Sequence, residues 1–153
     1  ILEPKLIYRT ERGAVPEGDY VVPLGKARLA REGSDVTLVA YGAMVPLCER
    51  AADEIDASVE VLDIRSLKPL DEDALLESAA KTGRVVIVQE APRTAGFGAE
   101  LAAILAEKAI LDLRGPVLRV TGYDVPYPYW KIEDAYMPSV KRVIDACRRL
   151  LEF

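Results

Sequence analysis

Apolar, β-branched runs alternate with helical patterns along this chain, and the alternation restricts the possible folds more than any other feature. Four runs lack the polar alternation of a half-exposed strand, as is typical of strands covered on both faces. They are VTLVAY (36–41), VEVLDI (59–64), RVVIVQ (84–89) and PVLRVTG (116–122). A weaker run, KARLAR (26–31), is predicted to be a short edge strand. We therefore expect a three-layer α/β/α domain with right-handed crossovers and a mostly parallel sheet of about five strands.

The segments between these runs carry helix signals. Pro46 suits the first turn of a helix. Asp71 is placed to cap the second helix, and Gly83 to end it. Pro138 opens the last helix. The apolar stripes of the first, third and last helices are Cys48, Ala51, Ala52 and Ile55; Leu101, Ile104, Leu105 and Ala109; and Val140, Val143, Ile144, Cys147 and Leu151.

Residues 1–23 differ from the rest, because prolines and glycines interrupt them and no periodicity is sustained. We expect an extended lead-in over 1–23 and one domain over 24–153. The first residue is Ile1 rather than Met, so the native protein is expected to be longer. A length of 153 residues suffices for a core without a metal or disulfide.

Composition narrows the function. The 20 basic and 25 acidic residues give a net charge of −5 without a basic cluster, which argues against nucleic acid as a partner. No apolar run approaches the ~20 residues that span a bilayer. Histidine is absent, which removes Ser-His-Asp and Cys-His catalysis and most zinc sites. Cys48 and Cys147 are predicted to be buried, reduced thiols, which fits a cytoplasmic protein.

The stretch TAGFGAEL (94–101) places two glycines between a strand and a helix, where many proteins bind phosphate. The dinucleotide fingerprint needs a third glycine, but position 101 is Leu, and no Gly-Lys-Ser/Thr is present. Glu100 in the first helical turn would repel an anion. We favour a turn packed closely over the sheet edge, with a contact to another subunit or domain, or phosphate binding, as alternatives.

Charged residues end two neighbouring runs. Glu90 and Arg93 follow one strand, and Asp63 and Arg65 end another. Parallel strands end at the edge where open α/β sheets bind ligands. The four side chains are therefore either a site or, more commonly, an ion-pair network that satisfies the loops.

The segment GYDVPYPYW (122–130) concentrates aromatic residues on a proline-stiffened loop. Rigid Tyr and Trp side chains are favoured at protein interfaces. An interface or a substrate channel is one interpretation of this aromatic loop, and packing of the rings on their own domain is the other. The rings are those of Tyr123, Tyr127, Tyr129 and Trp130.

Several motifs together resemble one family. EPKLIYR, VPLGKARLAREGSDVTLVAYGAMV, VLDIRSLKPLDEDAL, GRVVIVQEAPRTAGFGAEL and GYDVPYPYW occur in the order seen in beta subunits of thiamine-diphosphate-dependent 2-oxo acid dehydrogenases, the pyruvate and branched-chain enzymes. The chain resembles their C-terminal, transketolase-type domain. The resemblance implies that a pyrimidine-binding domain precedes Ile1, and that thiamine diphosphate and magnesium are bound elsewhere in the whole enzyme. It also implies a cytoplasmic location, or the mitochondrial matrix in a eukaryote.

The same resemblance implies partners rather than chemistry. It assigns no catalytic, cofactor-binding or metal-binding residue to this chain. The implied partners are a second beta subunit, an alpha subunit and the subunit-binding domain of the dihydrolipoyl acyltransferase. We expect self-association through the aromatic loop, with Tyr127, Tyr129 and Trp130, and through the end of the last helix. We expect Glu152 and Phe153 to help dock the acyltransferase, with Asp124 as a weaker candidate for the same acidic patch.

Two alternatives stay open. The chain is also compatible with the equivalent domain of a transketolase or related thiamine enzyme, although the long run of matching motifs argues against it. A free-standing nucleotide-binding module is an alternative of a different class. The substrate-pocket residues that distinguish one 2-oxo acid from another belong to other parts of the implied enzyme.

Overall fold

The computed structural model describes residues 1–153, and its centre is a five-stranded sheet. The strands are β1 (Arg28–Arg31), β2 (Val36–Ala40), β3 (Val59–Asp63), β4 (Val85–Pro92) and β5 (Leu118–Gly122). Their order is β1-β3-β2-β4-β5; β1 pairs antiparallel with β3, and all other pairs are parallel. The predicted mostly parallel sheet is confirmed, including the edge position of its first strand.

Five helices connect and cover the strands. They are α1 (Met44–Asp53), α2 (Glu72–Thr82), α3 (Phe97–Lys108), α4 (Glu133–Tyr136) and α5 (Val140–Leu151), and a 3-10 turn spans Lys5–Ile7. None of the helices has the length and apolar character needed to cross a bilayer.

One hydrophobic cluster lies on each face of the sheet, because successive strand residues point to opposite faces. Leu38 packs with α1 and α5 in the larger cluster, while its neighbour Val39 packs with α2 and α3 in the smaller one. Strands buried on both faces, such as β2, take apolar residues at most positions, which explains their nearly continuous apolar patterns. The buried Thr37 of β2 is the exception there, and its hydroxyl bonds to those of Ser78 and Thr82 in α2. The three-layer α/β/α prediction is confirmed.

Helix ends follow the sequence signals with one exception. Gly83 ends α2 in the left-handed conformation with φ of 70°, and Ser139 caps α5 by accepting a hydrogen bond from Arg142 N at 3.3 Å. Asp71 stands at the cap of α2, but its side chain makes no capping bond there. It instead accepts hydrogen bonds from Ala27 N at 3.0 Å and Lys26 Nζ at 3.5 Å, so it joins the residues directly before β1 to α2.

Two details differ from the prediction. Leu150 rather than Leu151 is the fully buried leucine at the end of α5, because the helix turns that position toward β5. The short α4 lies inside a segment predicted as loop, and its Tyr136 is buried. Cys48 and Cys147 are free, buried thiols, as expected.

Residues 1–23 hold no strand and are mostly exposed. They still contact the domain. The carboxylate of Glu11 pairs with Arg50 at 3.4 Å, and Pro4 lies beside Gly42, directly after β2. The lead-in therefore crosses the carboxyl edge of the sheet, the edge at which β2 to β5 end.

Candidate functional site

The glycine turn (94–98) closes around one buried side chain, that of Gln89 near the end of β4. The Gln89 amide nitrogen donates to the carbonyl of Pro92 at 2.9 Å. Its oxygen accepts from Gly98 N at 2.5 Å and from the Tyr41 hydroxyl at 3.4 Å. Because Gln89 is fully buried, these bonds satisfy its amide and tie the turn to two strands.

Both glycines are needed for this approach. A Cβ on Gly98 would stand 2.7 Å from Gln89 Oε1 and 3.0 Å from Ile87 Cγ2. A Cβ on Gly96 would overlap the Gln89 amide and the Pro92 carbonyl. Since Gln89 occupies the Gly98 N–H, one of the donors that a phosphate would need at this helix start is already taken. The geometry supports the structural interpretation of the turn over phosphate binding.

The four charged residues at the strand ends do not form one network. Asp63 contacts Arg28 at 3.5 Å and Arg65 at 3.8 Å. Arg93 donates instead to the Arg119 carbonyl at 3.3 Å, and Glu90 has no ion-pair partner. The expected ion-pair network therefore joins only Asp63 and Arg65 of the original four.

The aromatic loop (123–130) is anchored to the glycine turn at one point. Asp124 accepts hydrogen bonds from the backbone N–H and the hydroxyl of Thr94, both at 2.8 Å. These bonds, the backbone one first, hold the pKa of Asp124 below its ordinary value. Both carboxylate oxygens are thus used within the chain.

The rings of the aromatic loop divide into two groups. Tyr127 packs edge-on against Tyr136 with centroids 5.0 Å apart, and Tyr123 lies under the Arg142 guanidinium at 4.7 Å. Tyr129 and Trp130 are 90% and 74% exposed. The first pair anchors the loop on α4 and α5, while the second pair is exposed to solvent, with the Lys131 ammonium 5.7 Å from the Trp130 ring centroid.

The aromatic loop also contributes Tyr127 to one wall of a cleft of about 720 Å³. The opposite walls are the lead-in turn and the start of α1, with Leu6 and Met44 among the lining residues. In this wall the Tyr127 hydroxyl donates a hydrogen bond to the Glu133 carboxylate at 3.4 Å. Desolvation is the main cause that raises the pKa of Tyr127, and the negative charge of Glu133 is the second. The cleft lies where the strand order reverses between β2 and β4, the usual crevice of open α/β sheets.

The C-terminal pair lies far from the aromatic loop. Phe153, 66% exposed, packs beside Gly115, which precedes β5, whereas Asp124 follows the end of β5. Helix α5 runs between the two ends, since Arg142 in its first turn donates to the Thr121 carbonyl at 2.6 Å. The structure therefore does not bring Glu152, Phe153 and Asp124 into one acidic patch, and Arg149 lines the same groove as Glu152 and Phe153.

Groups suited to chemistry are sparse. No cluster of three Cys, Asp or Glu side chains is arranged to hold a metal ion. Burial raises the pKa of both thiols, that of Cys147 to about 12, so neither is a ready nucleophile. The exposed, organised feature of the molecule is a surface of rings, not a set of reactive groups.

Sequence reasoning missed two residues that build this surface. Tyr136 supports Tyr123 and Tyr127 from below, and Gly122 is needed because a Cβ there would stand 2.7 Å from the Tyr136 ring. The acidic pair Glu133 and Asp134 in the first turn of α4 is the kind of helix start that could have revealed this helix.

Comparison with known proteins identifies the family and the relatives that this chain resembles. Residues 25–143 match the family described as the transketolase C-terminal domain. The pyruvate dehydrogenase E1 component subunit beta of Staphylococcus epidermidis is 46% identical over 99% of this chain, and that of Staphylococcus aureus is 43% identical over the same share. In both cases the match covers 48% of the relative, so the chain spans about half the length of the curated relatives it matches.

Solved structures agree on the fold. A structure described as a split gene transketolase, inactive beta4 tetramer, is 31% identical and superposes with a TM-score of 0.77 over 92% of this chain and 46% of its own. The 2-oxoglutarate:ferredoxin oxidoreductase from Magnetococcus marinus shares the fold at a TM-score of 0.53 and 10% identity, over 82% of this chain and 19% of its own. The resemblance that the sequence motifs indicate is confirmed: the chain belongs to the transketolase C-terminal domain family.

Proposed function

We propose that this chain is the C-terminal domain of the beta subunit of a thiamine-diphosphate-dependent 2-oxo acid dehydrogenase, and that it serves assembly and docking. The observation that carries the proposal is the 46% identity to a pyruvate dehydrogenase E1 component subunit beta over 99% of the chain. The whole enzyme would decarboxylate a 2-oxo acid oxidatively and acylate a lipoyl group. In this proposal residues 1–23 lead in from a pyrimidine-binding domain, and 24–153 form the present domain.

The residues of this chain do not fit thiamine diphosphate and its magnesium ion. Magnesium and a diphosphate need oxygen ligands and free N–H donors together. Here no carboxylate cluster is arranged for a metal, and Gln89 occupies the Gly98 N–H in the glycine turn. In this proposal the cofactor is bound by the preceding domain and an alpha subunit, in a heterotetramer with two beta subunits.

Calorimetry tests this division. Thiamine diphosphate with magnesium titrated into the 153-residue chain should give no binding, whereas the complete beta subunit purified with its alpha subunit should bind the cofactor and decarboxylate a 2-oxo acid. Binding to the chain alone tighter than about 10 μM, roughly −7 kcal/mol, would place the cofactor site in this domain and refute the proposal.

The exposed rings support a role in subunit contact. Tyr129 and Trp130 leave large apolar surfaces in water, and such surfaces rimmed by polar residues mark interaction sites. We propose that the aromatic loop, with Tyr127 as its anchored member, contacts a second beta subunit. A two-fold dimer is the commonest arrangement for such a surface.

A separate contact is proposed for the chain end. Glu152 and the exposed ring of Phe153 would help dock the basic subunit-binding domain of the acyltransferase, without Asp124. Deleting Glu152–Phe153 from the assembled dehydrogenase should weaken that binding and reduce its salt dependence, because charge complementarity is screened by salt. An affinity within about twofold of the parent at two salt concentrations would remove the chain end from the docking surface.

The equivalent domain of a transketolase is the second candidate. Its support is the structural match to a protein described as a split gene transketolase. The higher identity to pyruvate dehydrogenase E1 component subunit beta favours the dehydrogenase. An activity assay of the complete enzyme with 2-oxo acids and with sugar phosphates separates the two.

A further inference from the structure

A second pocket at the carboxyl edge is lined by two arginines and three carboxylates, one of which lies between the two guanidiniums. It has a volume of about 440 Å³ and lies where β2 and β3 end, beside the lead-in. Its lining includes Ile7, Arg28, Gly42, Glu49, Asp63 and Arg65. It is separate from the cleft beside the aromatic loop, and neither the proposed assembly nor the proposed docking uses it.

The two guanidiniums of this pocket share one carboxylate, that of Asp63. Asp63, only 9% exposed, lies 3.5 Å from Arg28 Nη2 and 3.8 Å from Arg65 Nε. It is the only polar partner that either guanidinium has in the chain. Each guanidinium carries five N–H donors, so most donors of both point at no acceptor of the protein.

The backbone of Arg65 is strained in a way that maintains this arrangement. Its φ of 51° is unusual for a residue with a side chain. Its N–H donates to Asp63 Oδ1 at 3.1 Å, and the next residue, Ser66, accepts from Gly25 N at 3.0 Å. Such strain persists where the surroundings impose it, and it concentrates at ligand-binding positions.

We propose that Arg28 and Arg65 bind the carboxylate of a small organic acid in this pocket. A guanidinium matches the two oxygens of a carboxylate in a planar fork. Glu49 lies in the same lining, and Glu11 adds a carboxylate that already pairs with Arg50 at 3.4 Å. These two acidic groups disfavour a doubly charged phosphate. They repel a singly charged monocarboxylate less, and a hydrogen-bond donor on that ligand can face Glu49.

Lactate is a suitable probe, because it combines one carboxylate with one hydroxyl. The 153-residue chain contains the whole sheet and both hydrophobic clusters, so it is used as it stands. With a dissociation constant of about 10 mM, 100 mM lactate should raise the melting temperature by roughly 3–6 °C relative to chloride at equal ionic strength. Inorganic phosphate should raise it less.

Arg65→Gly separates binding from folding, since glycine adopts a positive φ without strain. We expect Arg65→Gly to melt close to the parent and to lose the lactate shift. Ala95→Gly is the matched control: Ala95 also has a positive φ, 57°, but does not line the pocket, so its lactate shift should equal that of the parent.

Arg65→Lys keeps the charge but not the fork, and should weaken lactate binding at least about fivefold. If Arg65→Gly does not fold, Arg65→Lys is used in its place to test the proposal. A lactate shift that is unchanged in Arg65→Gly or in Arg65→Lys, or a phosphate shift as large as that of lactate, would overturn the proposal.

Discussion

The glycine turn and the aromatic loop lie side by side at the carboxyl edge, yet they are built in opposite ways. The glycine turn is organised from inside, around the buried amide of Gln89. The aromatic loop is attached to it through Asp124 and presents Tyr129 and Trp130 to solvent. The glycine turn, whose sequence resembles a phosphate-binding motif, thus has a structural role. The aromatic loop, which matches no such motif, carries the exposed surface.

The two segments are expected to contribute differently to the free energy of unfolding. In the glycine turn, the loss of one partner leaves a buried N–H or carbonyl unpaired, which costs stability. In the aromatic loop, the loss of an exposed ring costs little folding free energy and removes a contact surface instead. Substitutions in the two segments should therefore affect different measurements.

Gly96→Ala should have the largest effect. Its Cβ would overlap the Pro92 carbonyl and the Gln89 amide, so the turn must open, and we expect a loss of about 3 kcal/mol in the free energy of unfolding. Urea denaturation measures it. Gly13→Ala is the control, since no atom lies within 4 Å of its added Cβ. Equal effects of the two substitutions would contradict the close packing of the turn.

Gln89→Leu should follow in size. The substitution keeps the volume but leaves Gly98 N and the Pro92 carbonyl without their side-chain partner, at a cost of about 2 kcal/mol. Tyr41→Phe removes only the long 3.4 Å bond to Gln89 and should cost less than half as much. If Gln89→Leu unfolds at the parent's urea concentration, the amide does not organise the turn.

Asp124→Asn probes the link between the two segments through pH. The hydrogen bonds from Thr94 lower the pKa of Asp124 in the folded state, so its contribution is present above the ordinary pKa near 3.9. That contribution is lost as the pH falls through the lowered value. The parent should therefore be more stable than Asp124→Asn at pH 6, and the difference should shrink at pH 3. A difference that is independent of pH would assign it to something other than the charge of Asp124.

The double substitution Tyr129→Ala, Trp130→Ala should have the smallest effect on stability, within about 0.5 kcal/mol, because both rings are exposed. It should instead reduce self-association in sedimentation velocity. Leu111→Ala is the control, since Leu111 is 96% exposed but follows α3 outside the aromatic loop. A parent chain that is monomeric at about 100 μM, a concentration at which weak interfaces are populated, would remove the self-contact.

Local patterns were sufficient to predict the sheet. Uninterrupted β-branched runs require burial on both faces of the sheet, and the helices between them each carry one apolar stripe that can cover a face. These two conditions predict the three layers. Glu60 shows the limit of such patterns. It is the second residue of β3, is 2% exposed, and is held by Ser78 and Lys81 from α2. Only the packing of α2, whose Ser78 lies 18 residues later in the chain, makes a carboxylate acceptable there.

The candidate surfaces were predicted in part. Composition located the aromatic loop, but the buried support from Tyr136 lies in a four-residue helix too short for a periodic signal. The grouping of Asp124 with Glu152 and Phe153 depended on where α5 ends, which sequence distance does not reveal. Of the two-arginine pocket, the sequence indicated Asp63 and Arg65 but not Arg28, because Arg28 reaches Asp63 through antiparallel pairing of β1 with β3.

Helix α5 has a consequence for how many molecules the domain can hold at once. Its 12 residues span about 18 Å, from the Thr121 carbonyl near the aromatic loop to Gly115 beside Phe153. A subunit on the aromatic loop and a small domain on the chain end therefore need not compete for space. If the two proposed contacts form, saturating one surface should leave the apparent dissociation constant at the other unchanged, and the stoichiometry of each should be countable separately.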